Sequence, residues 1–358
     1  MLVLGIMSGT SIDSVDYALC DVRGNSVRLR EHWQVKFPGW IRKRMHAAAN
    51  GNANSHEVGQ LHHDLGRFYA AHARGNPVLV GVHGQTIFHN PARSRSATLQ
   101  LGEPAWLAQA LGVMVVNNFR AADLAVGGQG APLATMFHRV VFAERGKHVC
   151  VNNLGGISNV TSLDWRAGKE PTVLAFDTGP ANILINLAMR HLTKSKLEMD
   201  RNGASAAKGK VNEQLLQQWL RHPYFRKKPP KSTGRELFGE PFLAGLIVRL
   251  SRHDLIATLT EFTARSIAVN YKLHLPSKPD CVILAGGGVA NPALVRALTR
   301  NLPNSDIISA EHLGWPLQAI EPAAFALLAY LRFRNKPGNL PSTTGARRPV
   351  LLGQITSP

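Results

Sequence analysis

The chain has 358 residues, 44% of them hydrophobic and 18% charged, which is enough to bury a full core and, at about 150 residues per domain, to build roughly two domains rather than a disordered segment. Its formal charge of +18 raises nucleic-acid binding as a class, but the basic residues gather at Arg42-Lys43-Arg44, Arg226-Lys227-Lys228 and 332–336, far apart and without interleaved stacking aromatics. That distribution predicts a solvated basic surface that draws anionic ligands, no specific nucleic-acid partner, and, with no run of about 18 apolar residues, no membrane span.

The first apolar run has no basic segment before it and no cleavage site after it, so 2–7 reads as a strand rather than a secretion signal, and a cytoplasmic chain is expected. Stretches at 2–7, 15–22 and 27–37 are rich in Val, Ile and Leu and are parted by Ser-Gly-Thr-Ser and Arg-Gly-Asn turns, which predicts a three-stranded meander. Helical periodicity at 55–74 and 103–112, with short buried strands at 78–83 and 113–117, then gives the alternation of an α/β fold. The second half opens in the same way, with strand, glycine turn, strand, loop and strand in HVCVNNLGG, ISNVTSLD and PTVLAFDTG. Helices at about 180–193, 211–221 and 254–274 follow, then a strand at 281–285, a helix from about 292 and a last helix at 318–333. There is no residue-level repeat, yet the echo predicts two similar α/β domains, each opening with a glycine turn that faces a cleft. We expect 1–133 to form the first domain, completed by 338–358 as an extended arm, and 134–337 to form the second.

Cys20, Cys150 and Cys281 are far apart, odd in number and without CxxC spacing, so neither a disulfide framework nor a zinc cluster is predicted. The adjacent His62 and His63 do not have the spacing that puts two ligands on one helical face.

Four motifs can carry chemistry. Residues 5–16, GIMSGTSIDSVD, run from a strand through a Gly/Ser/Thr turn into another strand; the turn suits phosphate oxygens, with Asp13 or Asp16 near Mg²⁺, and suits a plain hairpin equally. Asp177, in FDTGPAN, ends an apolar strand, where a carboxylate can act as a general base or can merely bind its own turn. The run Gly286-Gly287-Gly288 between a strand and a helix lets backbone approach a nucleotide, although a lone glycine run is weak evidence. In the segment from Asn118 to Leu133, Arg120 can pair with a substrate carboxylate and GGQGAPL can place backbone against a sugar, or can serve as a hinge. Glu321 joins these candidates because a carboxylate in an apolar helix is costly unless it is paired, exposed at a site or helping a helix start.

Taken together, GIMSGTSIDSVD, VHGQTIFHN, LGEPAWLA, FRAADLAVGGQGAPL, NNLGGISNV, FDTGPAN, DRNGASAAKGKVNE, HPYF with PPKSTGRELFG, TARSIA, LAGGGVANP and GNLPSTTGARRPVLLG resemble, in order and spacing from residue 3 to about 353, the anhydro-N-acetylmuramic acid kinase family. The resemblance implies two actin-like, ribonuclease H-like ATPase domains with the active site in the cleft between them, ATP and Mg²⁺ as cofactors, an amino sugar as substrate and a homodimer. It also implies a reaction in which water opens a 1,6-anhydro ring at the anomeric carbon while the released O6 takes the γ-phosphate. By matching motif it implies Asp177 as the base and Glu321 as a second catalytic carboxyl. ATP would be bound by Gly9, Thr10, Ser11, Ile12, Asp13, Ser14, Val15, Asp16, Gly155, Gly156, Gly286, Gly287, Gly288 and Asn291, with Asp13 also toward Mg²⁺. The sugar would meet Arg120, Asp123, Gln129, Gly130 and Asn182. The chain departs from the family pattern at Ser14, Asn118, Ala121, Ala122, Asn186 and Pro322, changes that bear on sugar affinity more than on phosphate binding. The alternatives are a kinase for another sugar and a catalytically weak member that binds nucleotide or nucleic acid.

Overall fold

A computed structural model of the chain describes residues 1–9, 11–92, 94–244 and 250–358. Its strands are, in chain order, β1 (Leu2–Ser8), β2 (Ser14–Arg23), β3 (Ser26–Lys36), β4 (Leu79–Asn90), β5 (Ala97–Leu101), β6 (Val115–Asn117), β7 (His148–Leu154), β8 (Ile157–Asp164), β9 (Thr172–Pro180), β10 (Cys281–Ala285), β11 (Asp306–Ser309) and β12 (Gln354–Thr356). They form two sheets, one in each of two compact units, Met1–Val141 with Gln318–Pro358 and Phe142–Leu317.

In the first unit the order is β12-β6-β4-β1-β2-β3, with β5 beside β4. β1, β2 and β3 are the expected antiparallel meander, and β4 and β6 continue the sheet parallel to β1. Leu4, Ile6, Val15, Tyr17 and Val80 point to one face, where Ile41 and Met45 of the helix Gly39–Ala49 and Leu61, Leu65 and Tyr69 of the helix Ser55–His72 close the core. The opposite face receives the helix Ile320–Phe333, which packs on β1, β2 and β4. That packing depends on Gly5 and Gly81, register partners on adjacent strands. A Cβ on Gly5 would lie 1.7 Å from the Pro322 carbonyl oxygen, and one on Gly81 2.3 Å from that of Phe325. Pro322 itself sits in the first turn of this helix, where a missing N–H costs no helical hydrogen bond.

The second unit repeats the plan. Its order is β11-β10-β7-β8-β9, with β7, β8 and β9 an antiparallel meander and β10 and β11 parallel to β7. Each sheet therefore holds an antiparallel meander of its unit's first three strands with two later strands added parallel to the first, the first sheet carrying β5 and β12 besides, which is the duplicated α/β plan that the sequence predicts. The helix Arg252–His274 is enclosed on most sides, its Phe262 packing into an aromatic cluster with Trp219, Phe225 and Phe238 and its Ile267 into a sheet-side core with Cys150, Val160 and Phe176.

The structure corrects several expectations. The helices Thr135–Phe142 and Ile320–Phe333 belong almost wholly to the first unit, so the second unit spans 142–317 rather than 134–337. The tail is not simply an extended arm: it forms the short helix Pro341–Thr344, and β12 pairs antiparallel with β6. The helix Gly39–Ala49 was not anticipated, because only Ile41, Met45 and Ala48 turn inward, a stripe too narrow to show against its polar and basic residues. Among the described residues no helix is long and apolar enough to cross a membrane, no group of three or more His, Cys, Asp or Glu residues is placed to hold a metal, and the three cysteines are free.

Candidate active site

Asp177 lies near the C-terminal end of β9, beside a break in register: Ser158 pairs with Gly179 and Asn159 with Asp177, leaving Thr178 as the extra residue. A bulge re-aims the side chains next to it. This one is pinned from below, because the Thr178 hydroxyl donates to Ser158 Oγ at 2.7 Å and the Thr178 carbonyl accepts from Asn270 Nδ2 at 2.8 Å. The Asp177 backbone is fixed on both sides, its N–H donating to the Lys231 carbonyl at 3.1 Å and its carbonyl accepting from the Tyr224 hydroxyl at 2.7 Å. Oδ2 of the carboxylate accepts from the Thr233 N–H at 2.9 Å, while Oδ1 accepts no hydrogen bond among the described residues. Burial first, and the charge of Glu236 second, push the Asp177 carboxyl up to about 6, against the Thr233 N–H and the Lys231 charge, which pull it down. A carboxylate with one anchored oxygen, one open oxygen and a pKa just below neutrality is suited to taking a proton from water.

The other motif residues of the second unit gather at the C-terminal ends of the neighbouring strands β7 and β10. Gly155 and Gly156 link β7 to β8, and β7 pairs in parallel with β10, which leads directly into Gly286. The Gly155 and Gly156 carbonyls accept from the N–H groups of Ala181, Asn182 and Ile183, and Asn182 Nδ2 donates to the carbonyls of Leu154 and Gly155, both at 2.9 Å. Gly286 has φ +79° and lies against Asn153 and Leu154, so the fold itself requires a glycine there. Gly287 differs, since a Cβ on it would meet nothing within 4 Å. Asn291 caps the helix Pro292–Asn301, its Oδ1 accepting from the N–H groups of Ala293 and Leu294, so that oxygen serves the helix start.

In the first unit the turn after β1 is closed by the Ile12 N–H donating to the Gly9 carbonyl at 3.2 Å, and Thr10 lies outside the described residues. Ile12 has φ +60°, a costly conformation for a β-branched residue and one found where a turn is held for a purpose. A Cβ on Gly9 would be in open space, Ser11 is exposed, and the Val15 side chain is wholly in the core, leaving only its backbone for any ligand. Asp13 is exposed and pairs with Arg42 Nη2 at 3.1 Å through Oδ1 alone. Ser14 and Asp16 start β2 half-buried, and Asp16 Oδ1 accepts from Gln34 Nε2 at 2.8 Å. Burial raises the Asp16 carboxyl. Glu321, in the first turn of its helix, is also raised, by desolvation first and by Asp16 second with Arg120 opposing, although the residue still meets solvent.

Arg120 is half-buried, its Nε donating to His83 Nε2 at 3.0 Å and its Nη1 to the Gly130 carbonyl at 2.8 Å. His83 Nδ1 donates to the Gly84 carbonyl at 2.8 Å, so both ring nitrogens are occupied and the residue shapes the strand end. Asp123 was expected to touch the sugar, and the structure gives it another part. It is completely buried, accepting from the Gly130 N–H, Asn339 Nδ2 and Thr344 Oγ1 at 2.7–2.8 Å, so it builds the loop that carries Gln129 and Gly130. Asn118 has φ +52° and lines a cavity of about 130 Å³ with His83, Gly84, Gln100, Asn117 and Gln354. Sequence reasoning missed Lys231 and Thr233 as partners of Asp177. Both stood in the motif PPKSTGRELFG, but a lysine following Arg226-Lys227-Lys228 reads as surface.

Comparison with known proteins follows the same line. The curated anhydro-N-acetylmuramic acid kinase of Acaryochloris marina is 39% identical over 376 residues, covering 99% of each chain, and that of a Picosynechococcus species is 40% identical over 382 residues, covering 100% of each. Among solved structures, an activator of 2-hydroxyisocaproyl-CoA dehydratase from Clostridium difficile is similar over 92% of this chain and 94% of its own at 14% identity and a TM-score of 0.44, a likeness too loose to add to these. The sequence profile described as "Anhydro-N-acetylmuramic acid kinase" matches residues 1–358, and the chain belongs to that family.

Proposed function

We propose that this chain is a working anhydro-N-acetylmuramic acid kinase that uses Mg-ATP to convert 1,6-anhydro-N-acetylmuramic acid and water into N-acetylmuramic acid 6-phosphate and ADP, as a step in recycling cell-wall sugars. The observation that carries this reading is Asp177, with one oxygen held by the Thr233 N–H, the other open, and its carboxyl raised to about 6. Asp177 takes a proton from water as the water oxygen bonds to the anomeric carbon, the C1–O6 bond breaks, and O6 bonds to the γ-phosphorus as ADP leaves. One base thus sets off both bond changes. Glu321 is the second catalytic carboxyl, and Arg120, Gln129, Gly130 and Asn182 are the sugar-side residues. Residues 9–16 with Gly155, Gly156 and Gly286–Gly288 are the nucleotide side, where Gly9 and Gly287 are glycines at positions with room for a side chain. Asp13, with its Oδ2 outside the Arg42 pair, would hold Mg²⁺, which needs only one or two protein carboxylates beside the phosphates of ATP and, when bound, would neutralise their charge. A homodimer and a cytoplasmic location complete the reading on family resemblance, and a solution mass of a single chain would remove the dimer.

The test is to incubate the purified protein with ATP, Mg²⁺ and 1,6-anhydro-N-acetylmuramic acid, follow ADP and weigh the sugar product, with Asp177→Asn in parallel. The expected product is heavier than the sugar by one water and one phosphoryl unit and is absent with the variant. Equal turnover by Asp177→Asn would overturn the base assignment, and ADP formed only with a different sugar would overturn the substrate.

A further inference from the structure

Lys231 is a buried lysine to which the proposed reaction assigns no part. It is 9% exposed, and its ammonium has no carboxylate partner among the described residues. Instead it donates to Asn270 Oδ1 at 2.6 Å and to the carbonyls of Tyr224 and Phe225 at 3.3 Å, lies 3.2 Å from His274 Nε2, and sits 4.8 Å from the Tyr224 ring centre. Burying an ammonium with no carboxylate at ion-pairing distance is costly, and burial first, with the Lys227 charge, pushes this one down to about 8 against the charge of Asp177. The cost falls at one strategic place. The Lys231 carbonyl accepts the Asp177 N–H, and two residues on, the Thr233 N–H donates to the Asp177 carboxylate. Two of the groups that Lys231 engages also hold Asp177 from the far side: Tyr224, whose hydroxyl bonds the Asp177 carbonyl, and Asn270, which bonds the next residue's carbonyl.

Resting on the reading of Asp177 as the base, we propose that Lys231 is a positioning residue for the reaction, anchoring the 231–233 crossing so that the Thr233 N–H meets the carboxylate and biasing that carboxylate toward its anionic form. The charged and titratable groups bearing on the pair are Glu236, Lys227, Tyr224 and His274, and of these Glu236 acts against Lys231 by raising Asp177. A lysine that merely fastened the loop would affect folding alone. One that also sets the base moves the pH at which the base works.

The experiment is ADP formation from Mg-ATP and 1,6-anhydro-N-acetylmuramic acid between about pH 5 and 9, with the full-length wild type, Lys231→Met, Lys231→Arg and Asp177→Asn. Lys231→Met is expected to move the acid limb of kcat/KM upward by about one pH unit and to lower kcat near pH 6.5 by about 10-fold, with the sugar KM within about twofold; Lys231→Arg is expected to restore most of the limb's position. An acid limb that stays in place in folded Lys231→Met overturns the proposal whether or not the rate falls. If Lys231→Met does not fold, Thr233→Pro, which removes the N–H and keeps the lysine, must move the limb in the same direction, and an unmoved limb there overturns it too. Full activity in Asp177→Asn with a normal wild-type profile would instead bring down the base assignment on which the proposal rests.

Discussion

Asp177 ionises in the folded chain near pH 6, not near its ordinary value of 3.8. Between those two values the folded state keeps a proton that the unfolded state has lost, so this carboxyl's contribution to stability is complete below about pH 3.8 and is lost as pH rises through about 6. The whole loss is on the order of 3 kcal/mol before local relaxation reduces it. An amide in its place carries no such charge. Asp177→Asn is therefore expected to be more stable than the wild type by about 1–3 kcal/mol at pH 8, with the gap closing toward pH 4, as read by urea denaturation at both values. A gap that does not change with pH would mean that the carboxyl is not held up by its surroundings. With a gap that closes toward pH 4, the loss of activity and the gain of stability belong to one carboxyl, since the burial that raises its pKa is the same burial that makes the base useful near neutrality. Asp16 follows the same logic in the first unit, where burial raises its carboxyl, whereas Glu321 is exposed and feels the charge of Asp16 raising it and that of Arg120 opposing.

The helix Ile320–Phe333 shows how an element carries such a residue to its place. Its sheet-facing side presents Pro322, Phe325, Ala326 and Ala329 to the groove made by Gly5 and Gly81, and the backbone contact is so close that a methyl group on either glycine has no room. Gly81→Ala should push the helix off β4, shift Glu321 with it and cost about 1–3 kcal/mol or more, seen as a lower melting temperature together with lower activity. Gly287→Ala, with nothing within 4 Å of the new methyl, is the matched control and should melt with the wild type. Equal melting of both variants would show that the glycine groove is not what seats the helix. The sequence made this helix legible at 318–333 through its apolar periodicity, but it offered no sign of which core the helix joins, since an apolar helix after the last strand of one domain carries nothing local to say that it packs on another. The meanders and the glycine turns were legible for the opposite reason: alternating apolar residues and turn chemistry are local. Lys231 and Thr233 were not legible as partners of Asp177 because the contact spans 54 to 56 residues and exists only after the aromatic cluster has folded around it.

Across the whole molecule the chain builds most of the first unit, leaves it after Val141 to make the second, and returns at Gln318. The return does more than add a helix. Asn339 and Thr344 supply two of the three groups that satisfy the buried Asp123, the Thr344 carbonyl accepts the Gln129 N–H, and the Arg347 N–H donates to the Val126 carbonyl, so the loop proposed for the sugar is set by residues that lie more than 200 positions later. β12 by contrast only adds a three-residue edge to β6, with Gln354 and Ile355 exposed. Two truncations separate these contributions. A chain ending at 353 loses the edge strand alone and should melt within a few degrees of the full length, with sugar-dependent ADP formation intact. A chain ending at 338 leaves the Asp123 carboxylate buried with a single partner, a loss of about 3–5 kcal/mol against a total stability of about 5–15. That loss should fall on the first unit only, because every partner removed belongs to it. Calorimetry should then show the first unit's transition lowered by about 10 °C or abolished while the second unit's persists, and ADP formation gone. If the chain ending at 338 melts and turns over like the full length, Asp123 is satisfied by other means and the returning segment does not build the loop.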